Sequence, residues 1–158
     1  SGFELEIKGR AAELLPALLP EAKALNLRAS LNLYRSRVAA LPGPDNRLEG
    51  QPRGTLNLGA DYRLRGLPLS LGGSVNYTPA YALRLSDIQS STVSDKTLVD
   101  AFVLWTLNPA AQLRLGASNM LARDYFSTSS VVSGLRTQTT DSANTSSVNW
   151  SLRLELKI

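Results

Sequence analysis

The residues best equipped for chemistry in this 158-residue chain are its paired carboxylates: Glu4 with Glu6, Asp45 with Glu49, Asp95 with Asp100, and Asp124. Two carboxylates flanking a bond are what glycoside hydrolysis uses, one as acid and the other as nucleophile or base. These acids are scattered over separate stretches, and the chain contains no His and no Cys. That removes the Ser-His-acid triads, the usual general base near neutral pH, thiolate metal sites, disulfides and most zinc chemistry. Ser127, Ser129 and Ser130 are the most clustered hydroxyls, but they lie in a Ser/Thr-rich stretch with no base to activate them. No Gly-rich phosphate loop is present. The sequence predicts no enzyme, no cofactor and no metal.

Charge points the same way. The net charge of +4 could serve nucleic acid, but Lys and Arg are spread singly, as at Arg28, Arg63, Arg114 and Arg153, without runs interleaved with aromatics. No nucleic-acid partner is expected. The longest apolar runs, Leu14–Leu19 (broken by Pro16) and Ala101–Trp105, fall far short of the roughly 18 residues of a spanning helix. Spanning by strands stays open, because a tilted transmembrane strand needs only about 9–11 residues.

The charged residues sit within an alternating pattern. From Val148 to Ile158 every even position is apolar and every odd position is polar, the signature of a strand with one apolar and one wet face. Five further runs repeat it: Phe3–Lys8, Leu25–Tyr34, Thr55–Leu64, Leu67–Tyr81 and Thr97–Leu107. A seventh begins at Gln112–Ser118. Residues 10–24, with Pro16 and Pro20, predict a connection holding one short helix. The stretches 39–53, 83–96 and 122–145 are rich in turn formers or Ser and Thr and predict long polar loops. Arg65-Gly66 and Asn108-Pro109-Ala110 predict tight turns. The expected fold is therefore all-β: an antiparallel up-and-down meander of about seven long strands. After the first connection its links alternate long and tight, as in outer-membrane barrels with short periplasmic turns and long extracellular loops.

Alternation alone does not say which face is inside. A soluble sandwich or lipocalin-like barrel turns its apolar face inward, whereas an outer-membrane barrel turns it to lipid. Here the apolar faces are mostly Leu, Ala and Val, with few aromatics to fill a core. Tyr62, Tyr77, Tyr81, Trp105 and Trp150 suit interfacial girdles. The polar faces carry Ser, Asn, Thr and Gly. These features favour lipid outside.

Specific residues also carry a family resemblance. Gly2-Phe3-Glu4-Leu5-Glu6, Pro44-Asp45-Asn46-Arg47-Leu48 with Gln51-Pro52, Asn57-Leu58-Gly59-Ala60-Asp61-Tyr62, and Ser118-Asn119-Met120-Leu121-Ala122-Arg123-Asp124-Tyr125 resemble the C-terminal barrel strands of TonB-dependent outer-membrane receptors. The resemblance implies a barrel of about 22 strands in the outer membrane of a Gram-negative bacterium. Such a barrel is plugged by an N-terminal domain and imports iron-siderophores, cobalamin, haem or sugars with energy relayed by TonB. Residues 1–158 would form its C-terminal segment. The implied partners are outer-membrane lipid, the remaining strands and plug, and TonB through an N-terminal part absent from this chain. Ile158 departs from the family's usual terminal Phe or Trp.

Two sets of site residues follow. Trp150, Leu152, Leu154, Leu156 and Ile158 are expected to face lipid from the terminal strand. Glu4, Glu6, Lys8, Arg28, Asp61, Arg63, Arg114, Arg153 and Glu155 are expected on the lumen side, either holding a plug or simply solvated and paired across strands. The competing readings are a self-contained small β-barrel, in the outer membrane or lipocalin-like, that binds an apolar ligand, and a structural or adhesive β-protein.

Overall fold

Period-2 alternation becomes hydrogen-bonded sheet throughout the computed structural model, which describes residues 1–157. Ile158, expected on the lipid-facing stripe, lies outside the described residues. The elements in order are β1 (Gly2–Arg10), α1 (Ala11–Leu14), β2 (Leu25–Tyr34), β3 (Gly54–Arg63), β4 (Leu69–Thr78), β5 (Tyr81–Arg84), β6 (Gln89–Val93), β7 (Lys96–Asn108), β8 (Ala111–Ser118), β9 (Tyr125–Ser133), β10 (Arg136–Asn144) and β11 (Asn149–Leu156). Strand makes up 61% of the chain and helix 3%, which fixes the class as all-β.

The main sheet has seven strands in the order β1-β2-β3-β4-β7-β8-β11, every pair antiparallel. These are the seven alternating runs of the sequence. The tight turns also stand where the sequence places them. Gly66 takes φ +75 between β3 and β4, a left-handed conformation that costs Gly little. Between β7 and β8 the Asn108 side-chain carbonyl accepts from the Ala110 N–H at 2.8 Å, closing an Asx turn.

Two of the three predicted loops are corrected. Residues 83–96 and 122–145 are largely strand: β5 and β6 form one hairpin, and β9 and β10 another. Together they make a second antiparallel sheet in the order β10-β9-β6-β5. That order repeats the order of β11, β8, β7 and β4 in the main sheet. Each strand of the second sheet therefore continues one of the first past a short break, at Pro79-Ala80, Ser94-Asp95, 119–124 and 145–148. The third predicted loop, 39–53, holds no strand or helix, and the β2–β3 connection that contains it runs over 35–53.

Hardly anything is fully enclosed. Among the described residues only Ala11, Leu83 and Ala117 are buried hydrophobics, and no polar side chain is buried. The accessible surface is 10994 Å², against about 7,700 Å² expected of a compact monomer of this mass. Among the described residues the main sheet is open: β1 pairs only with β2 and β11 only with β8.

Candidate functional site

Strand register decides what each face of the main sheet presents, since partners on adjacent strands share a face. One row runs Gly9, Leu27, Ala60, Gly73, Ala101, Ala117, Trp150, and the next runs Leu25, Tyr62, Leu71, Val103, Leu115, Leu152. Another, Ile7, Ala29, Leu58, Val75, Val99, is equally apolar. Seven strands thus merge their apolar sides into one continuous face. Nothing packs over most of it. On the terminal strand Trp150 and Leu152 are each 70% exposed, Leu156 63% and Leu154 56%. A one-residue slip anywhere would turn a strand's apolar side chains to the other face, so the common register is itself specified.

Large aromatics stand near strand ends on this face. Tyr77 is the penultimate residue of β4 and Trp150 the second of β11, both toward the end carrying loop 35–53 and the second sheet. Tyr62 and Trp105 stand toward the tight-turn end of β3 and β7. Tyr81, grouped with them by the sequence, instead opens β5 in the second sheet.

The opposite face collects the charges. The described strands place Glu4, Glu6, Lys8, Arg28, Asp61, Arg63, Arg114, Arg153 and Glu155 on this one side. Arg63, Ser70, Leu104, Arg114 and Arg153 share one row, and Glu155 stands opposite Gln112. Of these charges the structure joins one couple, Arg28 and Asp61, with Nη1 2.5 Å from Oδ2. Lys8 stands opposite Arg28 and Arg114 opposite Arg153, like charges facing each other. Arg114 lays its guanidinium over the Phe102 ring, 3.9 Å from the centroid, an arrangement in which the ring's negative face offsets part of the cation's charge.

Glycines make this face what it is. Gly59 is opposite Arg28, and a Cβ there would collide with the Arg28 side chain. Gly72 is opposite both Asp61 and Phe102, and a Cβ there would strike both. The side chains therefore lie flat along the sheet: Arg28 over Gly59, Asp61 and Phe102 over Gly72. The sequence singles out the charges of this face but not Phe102, Gly59 and Gly72. The available signal was the less polar alternate face of β7, Asp100-Phe102-Leu104-Thr106.

Four of the candidate acids do structural work. Asp45 pairs with Arg53 at 3.2 Å and Asp95 with Arg123 at 3.7 Å. Asp124 accepts from the Ser146 N–H at 2.9 Å, and Asp100 from the Asn119 N–H at 2.9 Å. Ser130 Oγ is shared with Thr139 Oγ1 across β9 and β10. Two sequence motifs act as fasteners. In 44–48, the Asn46 amide donates to the Val38 and Leu41 carbonyls at 3.0 and 2.9 Å, and the Asp45 carbonyl accepts from the Arg84 N–H at 2.9 Å, tying the loop to β5. In 118–125, Asn119 Nδ2 donates to the Ser147 carbonyl at 3.0 Å and the Met120 N–H to the Val99 carbonyl at 2.8 Å. That motif sits at the break between the two sheets.

The comparisons agree with this architecture. The sequence model of the family described as "TonB dependent receptor-like, beta-barrel" matches residues 1–120, which carry β1 to β8. This chain belongs to that family. No curated protein and no solved structure matches it. The family's general work is TonB-coupled transport across the outer membrane of Gram-negative bacteria, performed by transporters and not enzymes. An open sheet with one apolar face, one polar face, and hairpins extended past one end is a segment of such a barrel.

Proposed function

We propose that residues 1–158 are the C-terminal segment of a TonB-dependent receptor barrel that imports a siderophore or another scarce nutrient. The observation carrying this reading is the uncovered apolar face. All seven strands contribute to it in register, and among the described residues no layer encloses it. In water such a face would be a large liability; against hydrocarbon it is the ordinary exterior of a barrel. Trp150, Leu152, Leu154 and Leu156 face lipid at the terminal strand. Trp105 stands opposite Leu69, and Tyr77 lies eight residues further along β4. That is about 26 Å of strand at ~3.3 Å per residue, or about 20 Å of depth at a ~40° tilt, close to the usual apolar band of about 25 Å.

The polar face then lines the lumen. Glu4, Glu6, Arg28, Asp61, Arg63, Arg114, Arg153 and Glu155 meet water or a plug there. The free edges of β1 and β11 pair with the remaining strands of the barrel, because an open seven-stranded sheet leaves two rows of unpaired backbone groups. The same open edges disfavour a self-contained small barrel binding an apolar ligand, which would have to close on itself. TonB acts through the N-terminal part of the receptor, and loop 35–53 with the second sheet meets substrate first.

Uptake measurements test this reading. Cells expressing the intact receptor are supplied with iron-siderophores, cobalamin, haem or a sugar as the limiting nutrient, with and without functional TonB. The reading predicts accumulation of one of them that requires both receptor and TonB. Uptake of none, with the protein released from membranes without detergent, contradicts it.

A further inference from the structure

The link between β1 and β2 is out of proportion to its task. Antiparallel neighbours can be joined by two residues, and the other links at this end of the sheet run only 64–68 and 109–110. Residues 11–24 are wound into successive turns. The Leu15 N–H bonds the Ala11 carbonyl at 2.9 Å, Leu18 and Leu19 bond the Leu15 carbonyl at 3.1 and 2.8 Å, Ala22 bonds that of Leu19, and Leu25 that of Ala22. Ala11 is completely buried and anchors the start. Part of the backbone is thus satisfied within the segment, which lowers the cost of placing it at the edge of an apolar medium. The segment leaves Leu14, Leu15, Leu18 and Leu19 exposed, Leu18 by 75%.

Its direction is specific. The Leu14 side chain rests over Gly9, which lies on the apolar face in line with Phe3, Leu5 and Ile7. Leu14 and Leu15 form one wall of an open cavity of about 790 Å³ whose other side includes Ile7, Leu27, Leu58 and Val75. The segment therefore bends outward over the apolar face and not into the polar side. Its charged groups are few: Glu13, held by Arg10 at 3.5 Å, with Glu21 and Lys23.

We infer that residues 11–24 are an interfacial membrane element, with Leu14, Leu15 and Leu18 set among phospholipid acyl chains and acyl chain filling the cavity beneath them. The inference rests on the lipid-facing reading of the sheet and extends it to a connection that would otherwise be a turn in water. Its apolar surface is continuous with that of the barrel wall, so the same occupant covers both. The segment carries two acids and one base, so insertion is driven by apolar burial and not by anionic headgroups.

The chain has no cysteine, which allows single labelling. The intact receptor carrying Leu18→Cys, Glu21→Cys or Leu154→Cys as its single cysteine is labelled with an environment-sensitive fluorophore and reconstituted into phosphatidylethanolamine/phosphatidylglycerol vesicles containing doxyl-lipid quenchers. Quenching of most of the emission at Leu18 and Leu154, little at Glu21, and no change in 1 M salt is the expected result. Quenching at Leu154 but not at Leu18 overturns the inference and leaves the barrel reading standing. No quenching at Leu154 overturns that reading, and the inference with it. Equal quenching at Glu21 and Leu18 overturns the sidedness.

Discussion

Arg28 on β2 reaches diagonally to Asp61 on β3, Nη1 2.5 Å from Oδ2, by lying across Gly59, the residue directly opposite it. The pair exists because position 59 has no side chain. Both groups remain substantially exposed, so the ion pair itself contributes little, about 0.2–1 kcal/mol. What the glycine permits is geometry.

Gly59→Val should therefore cost more than losing the charge. A branched side chain drives Arg28 off the sheet, an overpacking penalty of about 1–3 kcal/mol, while Asp61→Asn costs under about 1 kcal/mol. Adding Asp61→Asn to Gly59→Val should cost almost nothing further, since the contact is already gone. Urea unfolding of the vesicle-reconstituted protein measures all three.

Gly72 makes the same argument from the other side. Its absent Cβ leaves room for both the Asp61 carboxylate and the Phe102 ring. Gly72→Val should destabilise by about 1–3 kcal/mol, and Phe102→Ala should relieve part of that by vacating the space. Phe102→Ala alone also removes the stack beneath Arg114, at about 0.5–1 kcal/mol for a solvent-accessible site. Unfolding midpoints of the two single variants and the double variant test the coupling.

Asn119 holds the break between the sheets. Its φ of +55 suits Asn better than most residues, and its side-chain amide donates to the Ser147 carbonyl. Asn119→Ala should cost about 1–2 kcal/mol and loosen the hairpin of β9 and β10 against β11. Limited proteolysis should show faster cleavage within 120–148 and unchanged protection of β2 to β4. Unchanged cleavage everywhere would mean the hydrogen bond is not what fastens the junction.

The strands of the main sheet were readable because each alternates apolar and polar residues, from Phe3-Leu5-Ile7 to Trp150-Leu152-Leu154, and their faces followed from the same period. The second sheet was not, because Arg136 to Asn144 has no apolar side to alternate: every residue of β10 is exposed. Its strand character rests on Thr-rich composition and pairing with β9, and pairing is not written in one segment. The charged face was readable residue by residue, but its contacts were not. Asp61 stands opposite Asn26 and not Arg28; their meeting depends on register and on a glycine two residues away. Asp45 and Asp124 looked like candidate acids, and only the folded chain shows them as fasteners.

Leu154 and Arg153 are neighbours on β11 that point to opposite faces, which makes them the most direct test of the central claim. Each is replaced in the intact barrel, Leu154→Lys and Arg153→Ser, and folding into phospholipid vesicles is measured by urea titration. Lipid on the apolar face predicts that Leu154→Lys costs about 2–4 kcal/mol near the bilayer midplane, while Arg153→Ser costs little. Equal damage from the two, or greater damage from Arg153→Ser, would contradict the assignment of the faces.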